Sequence, residues 1–440
     1  MAHGVTQPVQ DAPPGEPARP APRRGWRARL RASPAWLYIA ALGPGLVAAA
    51  AGNDAGGIAT YATAGARYGY SLLWAMVLIV LSLSLVQEMC ARMGAVTGKG
   101  LSDLIRERFG LRWATLATLA LLIANGGTTI TEFVGIGAAA EIFGIPRWIA
   151  VPLMALLIWR LVTLGSYGRL EKIFLVMTAV FFSYVLAVFL AHPDWNTVLK
   201  STVTPTFHLD PSFLNFFVAL IGTTITPYIQ LYTQASVVEK GVTPSDYRYE
   251  RFEVIVGVLF ASVVSSAIII STAAAIFVPH GSQSLDSAAD AARALQPVAG
   301  AYAEYLFAVG LFGASMLAGA VLPLSTAYAV TESIGFERGV SFTFRDAPVF
   351  VGLFTALVIL GALVAMIPGV PVVTLLLVVQ VINGVLLPIE LFFIMRLIND
   401  KQIMGRYANG RLYNVVAWTA VLAITLAVLL MLGTLPFAGG

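Results

Sequence analysis

Cysteine is nearly absent from the 440-residue chain: Cys90 is the only one, which excludes an intrachain disulfide and any cysteine cluster for metal. Histidine is almost as scarce. His3, His192, His208 and His280 are too few and too scattered to build a zinc site on paired imidazoles. No His-Glu-x-x-His stretch and no paired membrane aspartates occur, so a membrane enzyme finds no support and no cofactor is implied. Charge is the third shortage. Asp, Glu, Lys and Arg fill 11% of positions, against about 25% in a soluble globular chain, while hydrophobic residues reach 58%. With a mean hydropathy of +0.81, the chain is an integral membrane protein whose first partner is the lipid bilayer. Its net charge of +4 therefore does not point to nucleic acid, because the basic residues report topology instead. No obligate protein partner is evident.

Residues 1–35 differ in kind. "PPGEPARPAPRRGWRARLRASP" is rich in proline and arginine and reads as a disordered, basic cytoplasmic tail. It lacks the short apolar core and cleavage site of a signal peptide. A helix needs about 20 apolar residues to span the hydrocarbon core. Runs of that kind predict eleven spans within residues 36–435, centred near Asp54, Val80, Ile123, Leu156, Phe181, Thr226, Val264, Ser315, Val358, Asn383 and Leu426. Residues 436–440 form a short external tail. Lys99, Arg106, Arg108 and Arg112 follow the second span, and Arg169 and Lys172 the fourth. Lys240, Arg248 and Arg251 follow the sixth, Arg338 and Arg345 the eighth, and Arg396, Lys401, Arg406 and Arg411 the tenth. The alternate loops hold only Arg67, Arg147, Lys200 and Arg293. The positive-inside rule then places the amino terminus in the cytoplasm and, after eleven spans, the carboxyl terminus outside.

Two spans break their own apolar pattern. The first does so at Asn53-Asp54-Ala55-Gly56-Gly57, the sixth at "GTTITPYIQ", where Thr223, Thr224, Thr226 and Pro227 cluster. Proline removes an amide and obstructs the preceding turn, and bare backbone at membrane depth survives only where it lines a cavity or is buried in protein. Interrupted helices at matching positions of two halves mark a transporter's central site. Spans one and six are five apart, which predicts inverted five-helix repeats, roughly 36–195 and 210–400, plus an eleventh helix. Glycines can merely permit close packing, and a lone proline can be a packing kink. Asp54 is different: a carboxylate near the bilayer centre costs at least about 3 kcal/mol and marks an ion or substrate path. Its expected companions are carbonyls freed by the break and the hydroxyls of Thr223 and Thr226. Gln380 and Asn383, three apart on one face of the tenth span, either ligate as well or bond between helices.

These residues also carry a family resemblance. "GPGLVAAAAGNDAGGIATYATAGARYGYSLLW" resembles the first helices of the Nramp divalent-metal transporters, and "ARMGAVTGKGLSDLIRERFG" (Ala91–Gly110) resembles the end of their second helix closely. "TPYIQLYTQ" (Thr226–Gln234) matches the position of the sixth-helix signature, and "EFVGIGAAAEIFGIP" that of the third. The resemblance covers roughly residues 36–435. It implies an all-α, LeuT-type fold, alternating access, and a metal held between helices one and six. Asn53, Gly56 and Gly57, beside Asp54, and Pro227 and Tyr228, beside Thr226, would then line the ion's site or its vestibule.

The departures from the family pattern are informative. Its Asp-Pro-Gly-Asn motif reads Asp54-Ala55-Gly56-Gly57 here, so the aspartate stays and the asparagine ligand becomes Gly57. Its Met-Pro-His reads Thr226-Pro227-Tyr228, and the alanine whose carbonyl helps bind metal falls at Thr223. A thioether is soft and favours transition metals; a hydroxyl leaves an all-oxygen site suited to Mg²⁺, with Mn²⁺ accepting the same ligands. The paired third-helix acids of the family reduce to Glu132, with Thr129 in the aspartate's place, and the ninth helix lacks its arginines. Glu132 is then a relic of a proton path or part of a hydrogen-bond network. The pattern resembles the Nramp-related magnesium transporters. It implies a secondary transporter or uniporter for Mg²⁺ and Mn²⁺ in a bacterial plasma membrane, not coupled to protons. A proton-coupled Mn²⁺/Fe²⁺ symporter is the alternative. Sodium-coupled amino-acid transport on the same fold is disfavoured by Asp54, since an anionic substrate group would prefer free helix amides. Glu88 and Arg92 are spaced for an ion pair, and Glu332 and Glu390 are expected near helix ends, solvated or paired.

Overall fold

Backbone amides inside a bilayer have no water to bond, so every spanning segment must satisfy them internally. The computed structural model accordingly shows helices and no strand among the residues it describes, 52–164, 182–292, 300–336 and 346–434. The tail 1–35, the start of the first span, the middle of the fifth and the residues 436–440 lie outside that set.

After the first break runs α1 (Ala55–Tyr68), then α2 (Leu73–Thr97), the linker helix α3 (Leu101–Phe109), α4 (Leu111–Ile142) and α5 (Arg147–Leu164). Two shorter helices follow, α6 (Phe182–Leu190) and α7 (Trp195–Val203). The sixth span is divided into α8 (Pro211–Thr224) and α9 (Pro227–Glu239). Then come α10 (Tyr247–Thr272), extended by a π-helical turn at Ala273–Phe277, α11 (Ala303–Ile334), α12 (Pro348–Ala365), α13 (Val372–Ile398) and α14 (Arg411–Thr434). Among the described residues, eight segments are long and apolar enough to cross a membrane, and Pro211–Glu239 counts as one of them despite its break. The fourth expected span is the 18-residue α5.

Local sequence sets the joints. α2 stops at Gly98, whose φ of 64° only glycine adopts freely and whose N–H reaches the Gly94 carbonyl at 2.9 Å. The stretch read as a basic loop after the second span folds instead as the nine-residue α3, capped off at Gly110 (φ 84°) before α4 starts.

Packing sorts the helices into two groups. α10 packs on α1 and α2, and α2 packs on α9, while α4 packs on α11, α12 and α5. α13 touches both groups, meeting α1 and α2 of the first and α4 of the second, and it also packs on α8. Close approach of α1 to α10 depends on small residues: a Cβ on Gly65 would lie 2.8 Å from Thr272 Cβ and 2.9 Å from the Ala273 amide nitrogen. The core is continuous through both groups. The outer face is apolar too, with Leu119 and Ile123 of α4 and Leu422, Leu426 and Leu429 of α14 exposed where lipid would cover them.

Candidate metal-binding site

The first break is organised by two carboxylates. Asp54 is the N-cap of α1, with extended backbone (φ −68°, ψ −179°), and its Oδ1 accepts the Gly57 N–H at 2.6 Å. Its carbonyl begins the helix by accepting from Ile58 at 2.9 Å. The Ala55 N–H, freed by the break, goes to Glu132 Oε2 of α4 at 3.2 Å. Both acids are fully buried. Asp54 Oδ2 has no hydrogen-bond partner among the described residues. An unpartnered carboxylate oxygen in a low-dielectric interior is costly unless a cation answers it.

Around that oxygen the donors are neutral. A Cβ built on Gly57 would lie 3.2 Å from Asp54 Oδ1, 3.3 Å from the Gly52 carbonyl oxygen and 3.4 Å from Thr223 Oγ1. The family pattern has an asparagine at this position; here even a Cβ would be crowded by these three oxygens, so the glycine lets them close in on one another. On Gly56 a Cβ would fall on the Gln380 side-chain amide, so α13 reaches α1 only because that position is glycine. The hydroxyls of Thr223 and Thr226 and the Nε2 of Gln380 are buried with no hydrogen-bond partner among the described residues; the Nε2 can only donate.

The second break mirrors the first. α8 ends at Thr224, Ile225 turns out of the helix (φ −110°, ψ 57°), and Thr226 is the extended N-cap of α9. Pro227 takes the first helical position, where its missing N–H costs nothing. Carbonyls at the end of α8 carry the negative end of its dipole toward the break, which suits a cation. Tyr61 and Thr224 hydroxyls, 3.0 Å apart, tie α1 to α8. Tyr228 is buried at the first turn of α9.

Not every candidate faces the gap. Asn53 donates to the Ala261 carbonyl at 3.3 Å and accepts from Ser265 Oγ at 2.8 Å, joining the break to α10. Asn383 donates to Gln380 Oε1 at 2.9 Å and to Thr128 Oγ1 at 3.0 Å. It orients the glutamine and anchors α13 on α4. Asp54, Gly57 and Thr223 come together, and Gly56 meets Gln380; Asn53 and Asn383 are engaged in helix contacts.

Gln230 was passed over in the sequence, and Glu390 lies otherwise than expected. Gln230, one turn beyond Thr226 in α9, is buried with both amide atoms unpartnered. Glu390, expected solvated or paired near a helix end, is buried with neither oxygen hydrogen-bonded, at a cavity of about 30 Å³ shared with Pro227, Leu231 and Ser102. Glu332 is also buried, its carboxylate against Gly100. Glu88 does pair with Arg92 at 3.1 Å and also accepts the hydroxyls of Tyr247 and, at 2.6 Å, Tyr413. No group of three or more His, Cys, Asp or Glu side chains suited to a metal occurs among the described residues. Two buried carboxylates meet at the break, and of their oxygens Asp54 Oδ2 is the one without a hydrogen-bond partner among the described residues.

Known proteins place this arrangement. The chain is 31% identical to the divalent metal cation transporter MntH of Ralstonia nicotianae over 444 residues, covering 94% of this chain and 95% of that one. Its backbone resembles the Eremococcus coleocola manganese transporter in complex with an aromatic bis-isothiourea substituted compound, with a TM-score of 0.71 at 20% identity over 92% of this chain and 89% of that one. It also resembles MhsT in complex with L-phenylalanine, with a TM-score of 0.58 at 15% identity over 89% of this chain and 98% of that one. The fold is thus the LeuT-type fold of these transporters. Residues 45–434 match the family described as natural resistance-associated macrophage protein-like, Nramp. The chain is a multi-pass membrane transporter of divalent metal ions, and it belongs to the Nramp family.

Proposed function

We propose that this transporter moves Mg²⁺, and also Mn²⁺, by alternating access, binding the ion at Asp54 between the two helix breaks without coupling its movement to protons. The observation that carries the reading is the donor set: a buried carboxylate oxygen of Asp54 and the buried hydroxyls of Thr223 and Thr226, none with a hydrogen-bond partner among the described residues. All are hard oxygen ligands, and none is a thioether. Mg²⁺ dehydrates reluctantly and keeps several waters. Glu132 serves the Ala55 amide, which supports a structural role for it over a proton relay. Without a proton, the membrane potential supplies the drive: a divalent ion entering a negative interior gains about 4.6 kcal/mol per 100 mV. On this reading the amino terminus is cytoplasmic and the carboxyl terminus is outside, in the plasma membrane.

A proton-coupled Mn²⁺ symporter is the second reading, favoured by the manganese transporter of the same fold and by the retained carboxylate of Glu132. Uptake of Mg²⁺ and Mn²⁺ into proteoliposomes, with a luminal pH dye and with or without a pH gradient, separates the two. Uncoupled transport gives metal entry with no luminal acidification; acidification that tracks entry overturns it. Asp54→Ala is expected to abolish uptake of both ions in a protein that still elutes as a folded species, and undiminished uptake would remove Asp54 from the site.

A further inference from the structure

Far from the two breaks, the end of α13, the linker helix α3 and the start of α14 enclose a pocket of about 440 Å³. That volume falls within the about 300–1,000 Å³ of ordinary ligand sites. We propose that it binds the phosphate headgroup of an anionic phospholipid.

Charge is the first argument. Arg108, Arg396 and Lys401 line the pocket, with Asp400 as the one acidic group among them. Asp400 is already committed: its Oδ2 holds Arg108 Nε at 2.5 Å and its Oδ1 accepts the Gln402 N–H at 2.8 Å. Arg396 and Lys401 have no acidic partner among the described residues, which leaves two positive charges uncompensated. Hydrogen-bonding capacity points the same way. Asn414 uses its Oδ1 to accept from Asn399 at 2.8 Å, so its amide N–H groups remain to donate. Two cations and a donor amide match a phosphate, which only accepts.

The pocket's place in the membrane selects the source. Arg396 is in the last turn of α13 and Asn414 in the first turn of α14, so the pocket lies where two membrane helices end, at headgroup level. Basic pockets at the ends of membrane helices bind anionic headgroups. Asn414 and Trp418 line it from α14, and the same helical stripe continues at fourfold spacing through Leu422 and Leu426. Leu422 and Leu426 are 61% and 57% exposed. A phosphate seated by Asn414 would lay its acyl chain along that bare stripe, past the indole that marks the interface. A free phosphate would leave the stripe unused.

Titration of the full-length protein in neutral detergent, read by native mass spectrometry, tests this with phosphatidylglycerol, phosphatidylcholine and inorganic phosphate as separate probes. Phosphatidylglycerol is expected to bind and phosphatidylcholine not to. Arg396→Gln with Lys401→Gln should weaken phosphatidylglycerol binding about 30-fold, and Lys401→Gln alone about fivefold should the double variant be unstable. Arg396→Lys with Lys401→Arg should retain it. Undiminished phosphatidylglycerol binding by the Gln variants overturns the proposal. So does inorganic phosphate binding as tightly as the lipid, which would make this a soluble-anion site.

Discussion

Substitution of Glu132 separates a backbone cap from a charged relay. Its Oε2 accepts the Ala55 N–H at 3.2 Å, while Thr131 Oγ1 stands 3.5 Å from Oε1, at the limit of a hydrogen bond. Asp54 supplies the acceptors for Gly57 and Ile58 at 2.6 and 2.9 Å, and Glu132 adds an acceptor for Ala55, an amide of the first turn of α1 that Asp54 does not reach. Glu132→Gln keeps an oxygen of the same shape in the same place and loses only the charge. Glu132→Ala leaves the buried Ala55 N–H without an acceptor, which costs about 1–3 kcal/mol. At about 2 °C per kcal/mol, that predicts a fall in the midpoint of thermal unfolding of about 2–6 °C for the alanine variant and little change for the glutamine variant. Metal uptake into proteoliposomes should follow the same order, because a loosened first turn no longer fixes Asp54. If the glutamine variant keeps its stability yet loses uptake as completely as the alanine variant, the charge of Glu132 is required and the capping account fails.

Three further outcomes follow from the same contacts. Thr226→Met puts a thioether where a buried hydroxyl has no partner, and should raise the ratio of Cd²⁺ to Mg²⁺ affinity by at least about tenfold in isothermal titration, 1.4 kcal/mol; an unchanged ratio would place Thr226 outside the site. Gly56→Ala drives a Cβ onto the Gln380 amide and should destabilise by about 1–3 kcal/mol, with Gln380→Ala recovering most of that loss in a double-mutant cycle. Additive effects would mean the two residues do not touch. Lys240, just past α9, bonds Glu253 at 2.9 Å and Glu250 at 3.0 Å, so Lys240→Ala should cost about 3 kcal/mol by leaving two buried acids together. Burial works against its ammonium, but Glu253 and Glu250 outweigh burial and hold Lys240 above the usual lysine value of 10.5. Its contribution is thus fully present below 10.5 and is lost only as pH rises through the higher native value. The stability gap between wild type and Lys240→Ala, from chemical unfolding at about pH 6 to 9, should stay constant; a gap that closes across that window contradicts the ion cluster.

The two breaks were legible because each violates a rule with a large energy behind it: an acid in an apolar run, and a proline within a cluster of hydroxyls. What a residue faces was less legible. Asn53 adjoins Asp54 in sequence, yet at a break there is no helical phase to say which way it turns, and it meets Ser265 of α10. Asn383 and Gln380 do share a face, as their spacing requires, but Thr128 of α4 takes the asparagine. Gln230 had a signal, one turn from Thr226, that the neighbouring threonines obscured. Glu390 and Glu332 looked like helix-end acids because basic residues follow them. Their burial depends on tertiary packing, in which α3, read as loop, lines the cavity at one and abuts the other.

On the proposed reading, the same division of labour between the two carboxylates explains how the site could both bind and release its ion. Glu132 is spent on a backbone amide, and Asp54 offers one free oxygen. With Glu132 uncharged, a divalent cation there keeps one positive charge that no side chain neutralises. In a low-dielectric interior that excess has to be met by retained water and by the carbonyl dipoles at the end of α8. A second ionised carboxylate in the gap would neutralise the ion fully and slow its release; none at all would leave the ion's dehydration unanswered. A lone acid amid neutral donors sits between these limits, where a partly hydrated ion can enter and leave.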